Sequence, residues 1–254
     1  LTAVDSVLRK VSVVAPTALL TDVTSVKQPV ADRVEQLAPE SRFVGGHPMA
    51  GTTHSGWQAG RSDLFRGAAW VVCVEHDTDL SAWAEVARLA LEVGAHVVPA
   101  TAALHDAAVA RISHLPHLLA AVLASVGAEG GPLTLSLAAG SFADSTRVAA
   151  TRPELTRAMT EGNRAALLPA LDSALGMLGA ARGSLASTGS LAATINAGHR
   201  GAQALAETRA GEGTGVRIDL SAPDADEALL ALGEQGGRIT AVDDKVAVGE
   251  VAIS

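Results

Sequence analysis

The chain has 254 residues, with 27 acidic against 19 basic side chains and a net charge of -8, which argues against nucleic acid because phosphate neutralisation needs clustered Lys and Arg. Hydrophobic residues make up 48% but aromatics only 2%, so a real core is available and must be close-packed from Ala, Leu and Val. A single cysteine, Cys73, inside the apolar run from Ala69 to Val74, excludes a disulfide framework and fits a reducing, cytoplasmic setting; no apolar run of about 18 residues is expected to span a bilayer, and no signal peptide is read at the start.

Residues Leu1 to Val14 place apolar side chains at helical spacing, Pro16 ends them, and Ala18 to Asp22 reads as a buried strand. A helix from Ser25 to Ala38, with Ser25 as its N-cap, is followed by a strand at Phe43-Val44. A strand at Trp70 to Val74, an amphipathic helix from Leu80 to Val93 and a strand at His96 to Val98 complete the alternation, which predicts a parallel sheet covered by helices over residues 1–99. No G-x-G-x-x-G turn stands near the start, so either a dinucleotide is not bound in that way or the sequence begins partway through such a domain.

After Pro99 the pattern turns all-helical. Thr101 to Gly127 carries one broad apolar stripe interrupted by Pro116, which should kink the helix near Ile112, with His114 and His117 flanking the kink. Arg147 is a lone cation among small residues, and its plain reading is a surface ion pair with Asp144. Pro153 opens a run of Ala- and Leu-rich helices to about Arg209, with breaks at Gly162 and Gly189, so residues 100–210 form a helical domain suited to a subunit interface. Within residues 211–254, Gly211 to Gly215 reads as a linker, and the rest as a β-α-β-β tail that docks on the main body, dimerises or forms half of a regulatory module.

The chemical centre is the run Arg42 to Gly56, RFVGGHPMAGTTHSG. Gly45-Gly46 allows close backbone approach, and Pro48 biases His47 toward an extended conformation just past the carboxyl end of a strand, where open α/β sheets bind ligands.

Four strings in order, TDVTSVK (Thr21 to Lys27), FVGGHPMAGTTHSG (Phe43 to Gly56), SHLPH (Ser113 to His117) and SFADSTR (Ser141 to Arg147), resemble prephenate dehydrogenases of tyrosine biosynthesis over about Ala18 to Arg209. The resemblance implies a Rossmann-type domain lacking its N-terminal part, followed by a helical dimerisation domain. It implies oxidative decarboxylation of prephenate, or of its amino analogue arogenate, with hydride passing to NAD, NADP being left open. It makes His47 the base that accepts the ring-hydroxyl proton, a role a neutral imidazole suits near pH 7. Arg147 then grips a substrate carboxylate and His117 binds substrate. Ser25 lies between the hydroxyl, His47 and the nicotinamide, with Thr24 beside it on the cofactor side; Thr52 and His114 are further substrate contacts. A homodimer follows, and the tail loosely resembles an ACT-type unit, implying tyrosine as an effector. Thr24 and Thr53 depart from the usual pattern, the latter removing an acidic residue and with it any ion-pair gate. Two rivals stand beside this reading: a metal hydrolase using His47, His54, His114 and His117, and a non-enzymatic helical dimer.

Overall fold

The structure is a computed structural model and describes residues 3–51, 56–211 and 213–252. Helix α1 (Val4–Val14) packs its apolar face on α2 (Gln28–Leu37), burying Leu8 with Val30 and Val34. Between them β1 (Leu19–Thr21) runs parallel to β2 (Arg42–Val44). Gly45 then turns the chain directly into β3 (Gly46–Pro48), which pairs antiparallel with β4 (Ala69–Cys73), His47 opposite Val71. Thus His47 lies past the end of β2, as expected, but is itself a strand residue rather than part of a loop. Helix α3 (Leu80–Glu92) starts on Asp79, whose carboxylate accepts from the Ser81 and Ala82 amides, and returns the chain to β5 (His96–Ala100), parallel to β4.

The helical part begins with α4 (Ala102–Val109), capped by the Thr101 hydroxyl. It passes through a π-helical turn at Ala110–His114 into α5 (Leu115–Glu129). That turn is the form taken by the disturbance expected from Pro116: a proline offers no amide to the preceding turn, and one inserted residue absorbs the mismatch. By length and composition the stretch Ala102–Glu129 is apolar enough to cross a membrane, contrary to the expectation, yet it carries His105, Asp106, Arg111, His114 and His117. Short helices α6 (Gly131–Ser136) and α7 (Gly140–Thr146) and a 3-10 turn at Arg147–Ala150 lead to α8 (Pro153–Gly162) and α9 (Arg164–Thr188). Gly189, at φ 70°, ends α9 in the left-handed conformation that favours glycine, and α10 (Ala192–Ala210) follows.

The tail extends the sheet. Strand β6 (Gly213–Asp219) begins inside the expected linker because Gly213 and Gly215 pair with β8 (Val246–Ala252). Helix α11 (Ala225–Glu234) leads to β7 (Arg238–Val242), which pairs antiparallel with β5 at Val97 and Ile239. The resulting order is β3-β4-β5-β7-β8-β6. One core therefore runs from Val44, Trp70, Val72 and Trp83 through Val97 to Leu229, Ile239 and Ala247. The helical part buries far less of its own apolar surface: Ile112, Val126, Leu175, Met177, Leu178 and Ile195 are all more than half exposed.

Candidate active site

The site gathers where β1 and β2 end against the start of α4. Lys27, 1% exposed, donates to the Asp22 carboxylate and to the Gly46 carbonyl at 2.5 Å, tying the end of β1 to the start of β3. Burial pulls the Lys27 pKa down, against the opposing charge of Asp22. Asp22 also accepts from the amide and hydroxyl of Thr24 and from the Gly46 amide at 3.1 Å. Gly46 has no room for a side chain: a Cβ would stand 2.8 Å from the Asp22 carbonyl oxygen and 3.0 Å from the Trp70 indole nitrogen.

His47 is held by a residue the sequence did not single out. Its Nδ1 lies 2.7 Å from Nε2 of His105, and Nδ1 of His105 lies 2.8 Å from Oδ1 of Asp106. The same carboxylate accepts the Lys27 amide at 2.8 Å on Oδ1 and the Gln28 amide at 3.0 Å on Oδ2. Asp106 therefore caps α2 from across the domain boundary, and Ser25, the expected N-cap, does not, since the helix starts at Gln28 with no cap from its own side chains. Amide and imidazole donors hold the Asp106 carboxyl below its usual range against the cost of burial. Burial, reinforced by the neighbouring His105, Lys27 and His114, pushes the His47 pKa down from 6.5 to about 3, leaving the imidazole neutral at physiological pH.

His114, fully buried, is pushed down to about 4, chiefly by burial. Asn163 links it to the same group: its Nδ2 donates to the Asp106 carbonyl at 2.8 Å and lies 3.0 Å from Nδ1 of His114. Because a backbone carbonyl only accepts, the Asn163 amide is oriented, and His114 must accept on Nδ1 and carry its proton on Nε2, a buried atom with no partner among the described residues.

Ser25 and His117 lie together on the walls of a cleft of about 280 Å³ with Thr24, Val26, Thr151 and Met159. Thr24 is turned to Asp22 and to the Val26 carbonyl, at 2.7 Å, whereas Ser25 lines the opening. His117 is lowered by burial, against a raising backbone contact at Val148, and further by the charge of Arg147 on the 3-10 turn. Arg147 is exposed and forms no ion pair with Asp144 or any other carboxylate among the described residues. His47 is not on the wall of this cleft; its ring faces His105, at the side of a second, apolar cavity of about 450 Å³ that His105 lines beneath α4. Thr52, Thr53 and His54 lie outside the described residues. Among the described residues no group of three or more His, Cys, Asp or Glu is placed to hold a metal ion. Cys73 is buried in β4, its thiol pushed up to about 12, and is no nucleophile.

Comparison with known proteins gives the same picture. Residues 1–99 match the family model described as "Prephenate dehydrogenase, nucleotide-binding domain", and residues 101–188 match "Prephenate dehydrogenase, dimerization domain". A prephenate dehydrogenase of Bacillus subtilis is 37% identical over 158 residues, 61% of this chain but 43% of that protein, so the chain spans less than half the length of this curated relative. A crystal structure from Corynebacterium glutamicum, provisionally named a prephenate dehydrogenase, is 42% identical with a TM-score of 0.88, covering 94% of this chain and 76% of that one. A prephenate dehydrogenase from Aquifex aeolicus, in complex with hydroxyphenyl propionate and NAD+, shares the fold at 24% identity and a TM-score of 0.72, covering 80% of this chain and 72% of its own. The chain belongs to the prephenate dehydrogenase family.

Proposed function

We propose that the chain acts in the oxidative decarboxylation of prephenate to 4-hydroxyphenylpyruvate, as an NAD-dependent oxidoreductase of tyrosine biosynthesis working in the cytoplasm as a homodimer. The observation that carries this reading is His47 at a domain junction, neutral and hydrogen-bonded through His105 to the Asp106 carboxylate, in the same protein whose Ser25 and His117 share a cleft. The dimer is supported by the dimerisation-domain match and by the apolar side chains that α5, α9 and α10 leave uncovered.

Each residue has a task in the reaction. His47 takes the proton of the ring hydroxyl while the carbon bearing it gives up hydride. The ring carboxylate then leaves as carbon dioxide, its bonding electrons completing the aromatic ring, so no strong acid is needed. Arg147 grips the side-chain carboxylate through parallel charge-assisted hydrogen bonds, each worth roughly 1.5 to 3 kcal/mol. His117 contacts the substrate and Ser25 bridges the hydroxyl to His47; Thr52 and His114 support binding. NAD, when bound, supplies the hydride acceptor. Thr24 and Ser25 fit its nicotinamide end, being small, hydroxylated and placed at the end of β1, one anchored on Asp22 and the other on the cleft. No G-x-G-x-x-G run occurs in the sequence, so none of its residues is assigned to the pyrophosphate. Tyrosine as effector belongs with the tail, whose α11 rests on β5 and so reaches the sheet that carries the site.

The test is to incubate the protein with prephenate or arogenate and NAD or NADP, following absorbance of the reduced nicotinamide. Turnover with prephenate and NAD is expected. No reduced cofactor with any of the four pairs, from this chain or from a longer one containing it, would overturn the proposal.

A further inference from the structure

Asp106 and His105 are a buried polar pair, 4% and 2% exposed. Three donors converge on the two oxygens of the carboxylate, the amides of Lys27 and Gln28 and Nδ1 of His105, while the Asp106 backbone carbonyl takes the Asn163 amide. An ionised carboxylate that already accepts two amides can only accept again, so His105 carries its proton on Nδ1 and presents a lone pair on Nε2. That lone pair stands 2.7 Å from Nδ1 of His47.

We propose that Asp106 and His105 are positioning residues: they hold the Nδ1 proton of His47 in a relay ending on the carboxylate and thereby make Nε2 of His47 the atom that receives the substrate proton. The assignment rests on the reading of His47 as the base. The proton balance is simple. Nε2 gains the proton from the ring hydroxyl, Nδ1 keeps its own, and the positive charge that develops on His47 faces, across one neutral imidazole, a fixed negative charge. The proton later leaves from Nε2 to water, and none has to travel along the relay.

The arrangement also joins two events. Asp106 sits midway along α4 and its amide partners at the start of α2, so the relay exists only while the helical domain is seated on the nucleotide-binding domain. A carboxylate at a helix N-terminus is favoured by the helix dipole, which makes α2 a defined seat for it. Domain seating and the readiness of the base are then one structural condition.

Two measurements decide the matter. In protein labelled with 15N-histidine, with the His47 signals identified by their loss in His47→Asn, the wild type is expected to show His47 protonated on Nδ1 and unprotonated on Nε2. The opposite tautomer in wild type would overturn the proposal whether or not turnover is found, so it fails separately from the proposed reaction. In kinetics, His105→Gln is expected to lower kcat by on the order of 100-fold or more while KM stays within about threefold, since substrate contacts are untouched. Asp106→Asn should do the same and mix the His47 tautomers. A folded His105→Gln protein with wild-type kcat would overturn the relay; the tautomer measurement, made on wild type, needs no variant of His105 or Asp106 to fold.

Discussion

His47 and His114 are kept neutral by burial, and that sets how the protein responds to acid. Both pKa values lie below the unfolded value near 6.5, at about 3 and about 4, so below pH 6.5 the unfolded chain binds more protons than the folded one. The stability held by the neutral rings is complete above that pH and is lost progressively on descending toward pH 4. By pH 5 the loss should be on the order of 2 kcal/mol for each ring. Denaturant unfolding at pH 7.5 and pH 5 checks this, and His47→Asn should flatten part of the slope; equal midpoints at the two pH values would contradict it. Of these residues only part was readable in advance. His47 stood out because glycines precede it and proline follows, and His114 and His117 because they bracket a proline. His105 and Asp106 look like any polar pair entering a helix, since the partners that give them meaning, His47 and Lys27, lie 58 and 79 residues away. Lys27 was hidden for the same reason, buried against a carbonyl that no pattern marks.

Among the elements, those with a strong period were legible and those shaped by a neighbour were not. The strand at Ala69–Cys73 and the helix at Leu80–Glu92 followed from unbroken apolar and amphipathic runs, and Gly189 ended α9 where a left-handed residue was needed. The start of α2 was misplaced because its cap comes from Asp106 rather than from the local Ser25. Strand β3 was missed because three residues carry no period, and its pairing with β4 depends on Gly46 fitting against Asp22 and Trp70. The docking of the tail rests on a similar close approach: a Cβ on Gly233 of α11 would collide with the Pro99 carbonyl of β5. Backbone cannot yield as a side chain does, so Gly233→Ala should cost about 1 to 3 kcal/mol. The loss should appear as a lower denaturation midpoint and as faster amide exchange in β7 and β8; a variant as stable as wild type would show that the tail does not depend on this contact.

In the molecule as a whole, the alternation of strands and helices made the two-part plan legible, and the ordered motifs made the family so. What the sequence left open among its alternatives is that the tail closes onto β5 and shares the main core, through the pairing of Val97 with Ile239 and the packing of α11 on β5. The proposed division of labour follows from the plan. The nucleotide-binding domain supplies His47 and Ser25, while the helical domain supplies His117 and Arg147 together with the His105-Asp106 pair that orients the base. On that proposal chemistry and substrate grip belong to different domains and should separate in kinetics. The most direct measurement is steady-state turnover of prephenate by His47→Asn and Arg147→Ala beside wild type. The account predicts that His47→Asn loses about 10² to 10⁴ in kcat with little change in KM, and that Arg147→Ala mainly raises KM. A His47→Asn protein that turns over like wild type, or an Arg147→Ala protein with unchanged KM, would contradict it.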